Sequence, residues 1–149
     1  AAGGLTITAG GATITAGGLT ITAGGLKSAE ATGNGIGYST GAGGTVTQGT
    51  SRTTGVTLDK LTGAITTHNA SLAVETAAAF TVTNSTVAIG DTVIVSQRSG
   101  ANSGNTNVYV SAVAAGSFDI TVADNNVAGG TAETGAIIIN FAVIKAVSA

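Results

Sequence analysis

Few side chains in this sequence could do chemistry, and their spacing argues against it. His68 is the only histidine, and there is no cysteine. A zinc centre needs several imidazole, thiolate or carboxylate ligands. None is spaced around His68, which reads as a polar residue in the Thr66–Asn69 turn region. A Ser-His-Asp triad is not expected either, since no nucleophile-elbow serine is read. Asp59, Glu75, Asp91, Asp119, Asp124 and Glu133 are scattered among predicted turns and strand faces. Glycan cleavage requires two carboxylates flanking one bond. With three Phe, two Tyr and no Trp, platforms for a sugar ring are also scarce. Gly33-Asn34-Gly35-Ile36-Gly37 is rich in glycine, but no lysine follows it and no strand-turn-helix surrounds it, so it is no phosphate cradle. Arg52 and Asp59-Lys60 are expected on a solvated surface, where an ion pair contributes only about 0–1 kcal/mol. No catalytic, cofactor or metal residue is expected, and the chain is read as a non-enzyme.

The informative residues lie at the start. Gly3-Gly4-Leu5-Thr6-Ile7-Thr8-Ala9 is followed by two further copies, Gly10-Gly11-Ala12-Thr13-Ile14-Thr15-Ala16 and Gly17-Gly18-Leu19-Thr20-Ile21-Thr22-Ala23. A fourth begins at Gly24-Gly25-Leu26 and breaks off at Lys27. Each unit reads as a short strand, x-Thr-Ile-Thr, and a glycine corner; β-branched residues favour the one and paired glycines permit the other. Alternation puts Leu5 and Ile7 on one strand face and Thr6 and Thr8 on the other. Burying such apolar side chains is worth roughly 1.5–3 kcal/mol each. Fixing the backbone costs roughly 1–2 kcal/mol per residue over the whole segment. One copy alone is therefore not expected to fold.

Three copies winding about one axis would pair every strand edge and bury the apolar stripes together. The sequence thus predicts an intertwined homotrimeric β-helix stem over residues 1–26, its interface built from Leu5, Ile7, Ile14, Leu19, Ile21 and Leu26. The ranks Thr6-Ile7-Thr8, Thr13-Ile14-Thr15 and Thr20-Ile21-Thr22 resemble the surface of ice-binding β-solenoids, a remote alternative. Such a patch would be small, and threonine is simply a favoured polar strand residue.

The chain's 149 residues allow one domain with a proper core plus an appendage. Five Lys/Arg and a formal net charge of −2 leave no electrostatic footprint for nucleic acid. The longest apolar run, Ala136 to Ile139, resumes after Asn140 and ends at Ile144, far short of a membrane span. No charged n-region with an apolar h-region is read at the start, so a signal peptide is not expected among these residues. A start at Ala1 without Met, in register with the repeat, suggests a processed chain or part of a longer one.

Residues 27–44 read as a glycine-rich neck, in which Tyr38 is expected to plug the stem or pack on a neighbouring chain. From residue 45 to 149, strand signals recur with turn signals between them. Strands are predicted near 45–48, 54–59, 63–67, 79–84, 91–97, 106–115, 117–123 and 136–147, with 71–79 ambiguous and compatible with a short helix. Ala136 to Ile144 is apolar on both faces and belongs inside a sheet. Ala115-Gly116-Ser117 reads as a tight hairpin. The fold class is all-β: the stem followed by an antiparallel β-sandwich head, jelly-roll-like. Exposed turns at Asn102–Asn107 (Asn102, Asn105, Asn107) and Asp124–Gly130 (Asp124, Asn125, Asn126) are the expected partner-binding loops.

Several blocks, in order, resemble a known family. They are Gly35-Ile36-Gly37-Tyr38, Gly41-Ala42-Gly43-Gly44-Thr45-Val46-Thr47-Gln48, Ser51-Arg52-Thr53-Thr54-Gly55-Val56-Thr57-Leu58 and Gly63-Ala64-Ile65-Thr66. Ser111-Ala112-Val113-Ala114-Ala115-Gly116-Ser117-Phe118 and Asn140-Phe141-Ala142-Val143-Ile144-Lys145 complete the match. Together they resemble a small β domain of bacteriophage and prophage virion proteins, of the tail-fibre, head-fibre and decoration kinds. The repeat is similar to trimeric β-helical phage fibres. The resemblance implies a non-catalytic, trimeric virion protein at the particle surface. Its implied partners are copies of itself, other capsid or tail proteins, and a host surface receptor. A fibre or spike is the leading expectation; a capsid decoration or cement protein seated on threefold sites is the alternative.

Overall fold

The computed structural model describes residues 7, 11–22, 24–26 and 35–146. The chain divides into two compact units, Ala1–Ile36 and Gly37–Ala149. In the first, none of the described residues lies in a strand, and all of them are exposed. Gly11, Gly17, Gly18 and Gly24 adopt positive φ, so the left-handed corner recurs with the heptapeptide. Nothing crowds these positions: a Cβ on Gly17 or Gly18 would meet no atom within 4 Å, so backbone conformation alone calls for glycine there.

The second unit holds eight strands and, among the described residues, no helix. They are β1 (Gly43–Thr47), β2 (Val56–Thr57), β3 (Thr62–Thr66), β4 (Thr76–Thr83), β5 (Thr92–Ser99), β6 (Thr106–Ala114), β7 (Ser117–Asp124) and β8 (Ile138–Ile144). One sheet has the order β1-β3-β8-β5 and the other β2-β4-β7-β6. Two-residue periodicity explains which side of each strand is buried. Ala78, Phe80 and Val82 point inward from β4, and Phe118, Ile120 and Val122 from β7. Ile139, Phe141 and Val143 meet them from β8, with Ile65 of β3 beside them. The rings of Phe118 and Phe141 tilt at 51° with centroids 5.3 Å apart, joining the two sheets at the centre of the core. Strand β8 lies between β3 and β5, the interior place its two apolar faces predict.

The sheets are mixed, which corrects the expected antiparallel, jelly-roll-like head. Strand β1 runs parallel to β3, and β2 parallel to β4. The cause is the path of the chain. The first four strands alternate between sheets, up one and down the other, so sheet neighbours two strands apart run the same way. Only from β5 onward do antiparallel pairs dominate, with β6 and β7 joined through Ala115-Gly116. Gly116 takes a φ of 78° in this hairpin. Register shifts between Gln97 and Ser99 and between Val110 and Ala112 fall on the outermost strands β5 and β6. Bulges at sheet edges discourage further strand addition.

The ambiguous stretch 71–79 is extended rather than helical. Leu72 forms an antiparallel bridge with Glu133, and Glu75 takes a φ of 59°, which stops any helix before β4 begins. Gly43 and Gly44, expected in the neck, already belong to β1. Gly44 lies against Leu58, whose Cδ1 would be 2.9 Å from an added Cβ.

Candidate functional site

Strand directions put the connections 48–55, 67–75, 100–105 and 125–137 at one end of the sandwich. The chain comes in at Gly43 and leaves after Ile144 at the other. The far end is polar and closely tied. Its centre is Glu133, which has no exposed surface. The Glu133 carboxylate accepts the backbone N–H groups of Asn102 at 3.1 Å, Ser103 at 3.3 Å and Gly135 at 2.6 Å. The Thr106 hydroxyl also donates to it. Burial pushes this carboxyl up, but the hydrogen bonds from Thr106, Gly135, Asn102 and Ser103 prevail and hold it below its ordinary value.

Arg52 is the second member. It is buried, which corrects its expected place on a solvated surface. Its guanidinium donates to the Thr67 hydroxyl at 3.3 Å and to the carbonyls of Glu133 at 3.2 Å and Gly135 at 2.9 Å, as well as to the carbonyl of Ala70. Burial lowers its pKa from the ordinary value, and the charge of Glu133 partly offsets this. Among the described residues, the one ion pair within 4 Å is elsewhere, between Lys145 and Asp91. Arg52 thus works by clamping three carbonyls from two other connections rather than by touching a carboxylate. The buried Gln48 side chain donates to the carbonyls of Arg52 at 3.1 Å and Thr54 at 2.7 Å, and accepts the His68 N–H at 3.0 Å.

Backbone contact at this end requires glycine. A Cβ on Gly135 would stand 1.8 Å from the Gly100 carbonyl oxygen, and one on Gly100 2.0 Å from that of Ala136. No side-chain movement relieves a clash with backbone.

The two predicted partner loops come together here. Asn125 donates its N–H to the Asn105 carbonyl at 3.0 Å, and the Asn105 amide returns a bond to the Asn125 carbonyl at 2.9 Å. The Asn126 amide donates to the carbonyls of Ser103 at 2.8 Å and Thr131 at 2.9 Å. Asn102 and Thr134 exchange two bonds, at 2.9 and 3.0 Å. Asn102, Asn105 and Asn126 therefore brace the loops, while Asn107, Asn125 and Val127 stay exposed to solvent. Asp124 corrects the reading of an exposed turn: it extends β7 by one residue, shares the inner face with Phe118, Ile120 and Val122, and is 1 % exposed.

The predicted stem interface has a different setting. Leu5 lies outside the described residues. Ile7, Ile14, Leu19, Ile21 and Leu26 are all exposed in the single chain, Leu19 at 66 %. Tyr38 lies in the second unit, where its hydroxyl donates to the carbonyl of Val143.

The expectation of no nucleophile elbow needs one correction. Gly37-Tyr38-Ser39-Thr40-Gly41 does spell Gly-x-Ser-x-Gly. The elbow's strand-to-helix setting is missing, since Ser39 opens a turn in which its carbonyl accepts the Ala42 N–H at 3.2 Å. His68 follows β3 at the opposite end of the sheet, with Nδ1 accepting the Ala70 N–H at 2.9 Å. Among the described residues there is no group of three or more His, Cys, Asp and Glu that could hold a metal.

Sequence reasoning missed the Arg52–Glu133 hub because its members are 81 positions apart and each looks like an ordinary loop charge. The signal available was weak: in a chain with so few charged residues, an arginine inside the run Ser51-Arg52-Thr53-Thr54 has many polar partners nearby. No protein-family model, curated protein or solved structure matches this chain.

Proposed function

We propose that this chain is a non-enzymatic, homotrimeric structural protein of a bacteriophage particle, displayed at the surface as part of a fibre or spike. The observation that carries the reading is a division of labour within one chain. Regular glycine corners carry large apolar side chains that a single copy leaves in water, at Ile7, Ile14, Leu19, Ile21 and Leu26. Water-exposed apolar stripes of this regularity favour association with identical stripes. The head meanwhile presents, opposite the end where the chain comes in, a polar loop surface braced from beneath by Arg52 and Glu133. Such bracing suits recognition without turnover, because a preformed surface loses little conformational entropy when it binds. The virion assignment rests on the residue blocks from Gly35 to Lys145 set out above.

Sedimentation equilibrium of the whole chain tests the assembly: three copies are expected, and a stable monomer with an ordered N-terminus would end the proposal. Densitometry of purified particles, with the major capsid protein as reference, tests the location. A few trimers per particle fit a fibre or spike, while copies spread over the whole shell favour the decoration alternative. Absence from the particle would overturn both.

A further inference from the structure

Asp124 is enclosed by protein, yet only half of its carboxylate is satisfied. Oδ1 accepts the Asn126 N–H at 3.0 Å, whereas Oδ2 is buried with no hydrogen-bond partner. No cationic side chain among the described residues lies within 4 Å of it. Leaving a buried carboxylate uncompensated costs several kcal/mol.

The surroundings are rich in oxygen. Asp124 faces Thr106 directly across the β6–β7 pair, and side chains so paired share one face of the sheet. The Thr106 hydroxyl lies 2.7 Å from that of Ser103 and also reaches Glu133. Asn126 spends both amide hydrogens on the carbonyls of Ser103 and Thr131, which fixes its oxygen on the opposite side. Counting the buried charges at this end, Asp124 and Glu133 give −2 and Arg52 +1, so −1 remains.

The loop also has a spacing that suits a hard cation. Counting Asp124 as first, Asn126 is third and Gly129 sixth, with a φ of 88°. Aspartate, asparagine and a sharply turning glycine at those places are a known arrangement for calcium. The fifth place, Ala128, and the twelfth, Gly135, offer only carbonyls, so the loop is a partial match. Calcium accepts carbonyl and hydroxyl oxygens beside one or two carboxylates.

We infer that Asp124 and Asn126 anchor a calcium site beneath the asparagine loops, with Ser103 and Thr106 supplying neutral oxygens and Glu133 a nearby negative charge. The ion binds Oδ2, supplies the counter-charge that the carboxylate lacks and stiffens the loop surface. This goes beyond the proposed function and stands without it.

The test is calcium titration of chelator-treated full-length protein, by calorimetry and thermal melting, beside Asp124→Asn. One ion per chain should bind with a dissociation constant of about 0.1–1 mM, the range of weak extracellular sites. At tenfold that concentration the head should melt about 3–8 °C higher. Magnesium, which demands a tighter octahedron, should do less. In Asp124→Asn the shift should vanish. Absence of both heat and shift up to about 10 mM calcium overturns the inference; so does an equal shift in Asp124→Asn, which would place the ion elsewhere. If Asp124→Asn does not fold, Asn126→Ala provides the same readout: weaker binding supports the site, and unchanged binding refutes it.

Discussion

Replacing Glu133 with alanine is the most direct test of the hub at the far end of the head. The substitution strips the acceptor from three backbone N–H groups, those of Asn102, Ser103 and Gly135, and from the Thr106 hydroxyl. Each buried donor left unpaired costs about 1–3 kcal/mol. Asn102 is exposed and water will reach it, but Ser103 is buried and Arg52 loses its neighbouring counter-charge. The net loss should therefore be about 3–5 kcal/mol, as for other buried charges deprived of a partner. For a head of this size that is about 10–20 °C in melting temperature. Circular dichroism melts and urea unfolding would measure it. A fall below about 4 °C would refute the hub, because the N–H groups would then have found other acceptors. Acid adds a second signature. The folded Glu133 carboxyl sits below its ordinary value, so its contribution is complete above the unfolded value of about 4.3 and fades as pH drops through the folded one. Glu133→Gln should be less stable at neutral pH and should lose Glu133's share of that acid dependence. Asp91, lowered by the bond from Ala88 and by Lys145, and Asp59, lowered by the bond from Ser85, should keep their own shares.

Two further outcomes follow from the same contacts. Gly135→Ala should destabilise the head by about 3 kcal/mol or more, since its Cβ would meet the Gly100 carbonyl rather than a movable side chain; an unchanged urea midpoint would contradict the geometry. Ile14→Asp, which rests on the trimeric stem, should set three like charges at one level and abolish stem protection in hydrogen exchange while sparing the head. Retained protection would refute that packing.

How much of this could be read from the sequence depended on distance along the chain. Alternation within β4 and β7, such as Phe80-Thr81-Val82 and Phe118-Asp119-Ile120, is local and legible, although residues 76–79 of β4 fall in the stretch that reads as compatible with a helix. The interior position of β8 was legible for the same reason, because both its faces are apolar. Pairing direction is not local. Nothing within Gly43–Thr47 records that β3 will lie beside it in parallel, for that depends on β2 being carried to the other sheet. The far-end loops showed their turn residues but not their interior. Asp124 continues the inward alternation of Phe118, Ile120 and Val122, so a strand end placed one residue early turns a buried aspartate into an exposed turn residue. Arg52 and Glu133 are joined by folding alone.

The place of β8 has a consequence for biogenesis. It is the last of the eight strands in chain order, yet it holds β3 to β5 and contributes Phe141 to the contact between sheets. One layer of the head therefore cannot close until β8 has left the ribosome, and contacts of such long sequence separation form slowly. The heptapeptides precede the head in the chain and leave the ribosome while it is still incomplete. In the proposed trimer, the stems can therefore associate before the heads close.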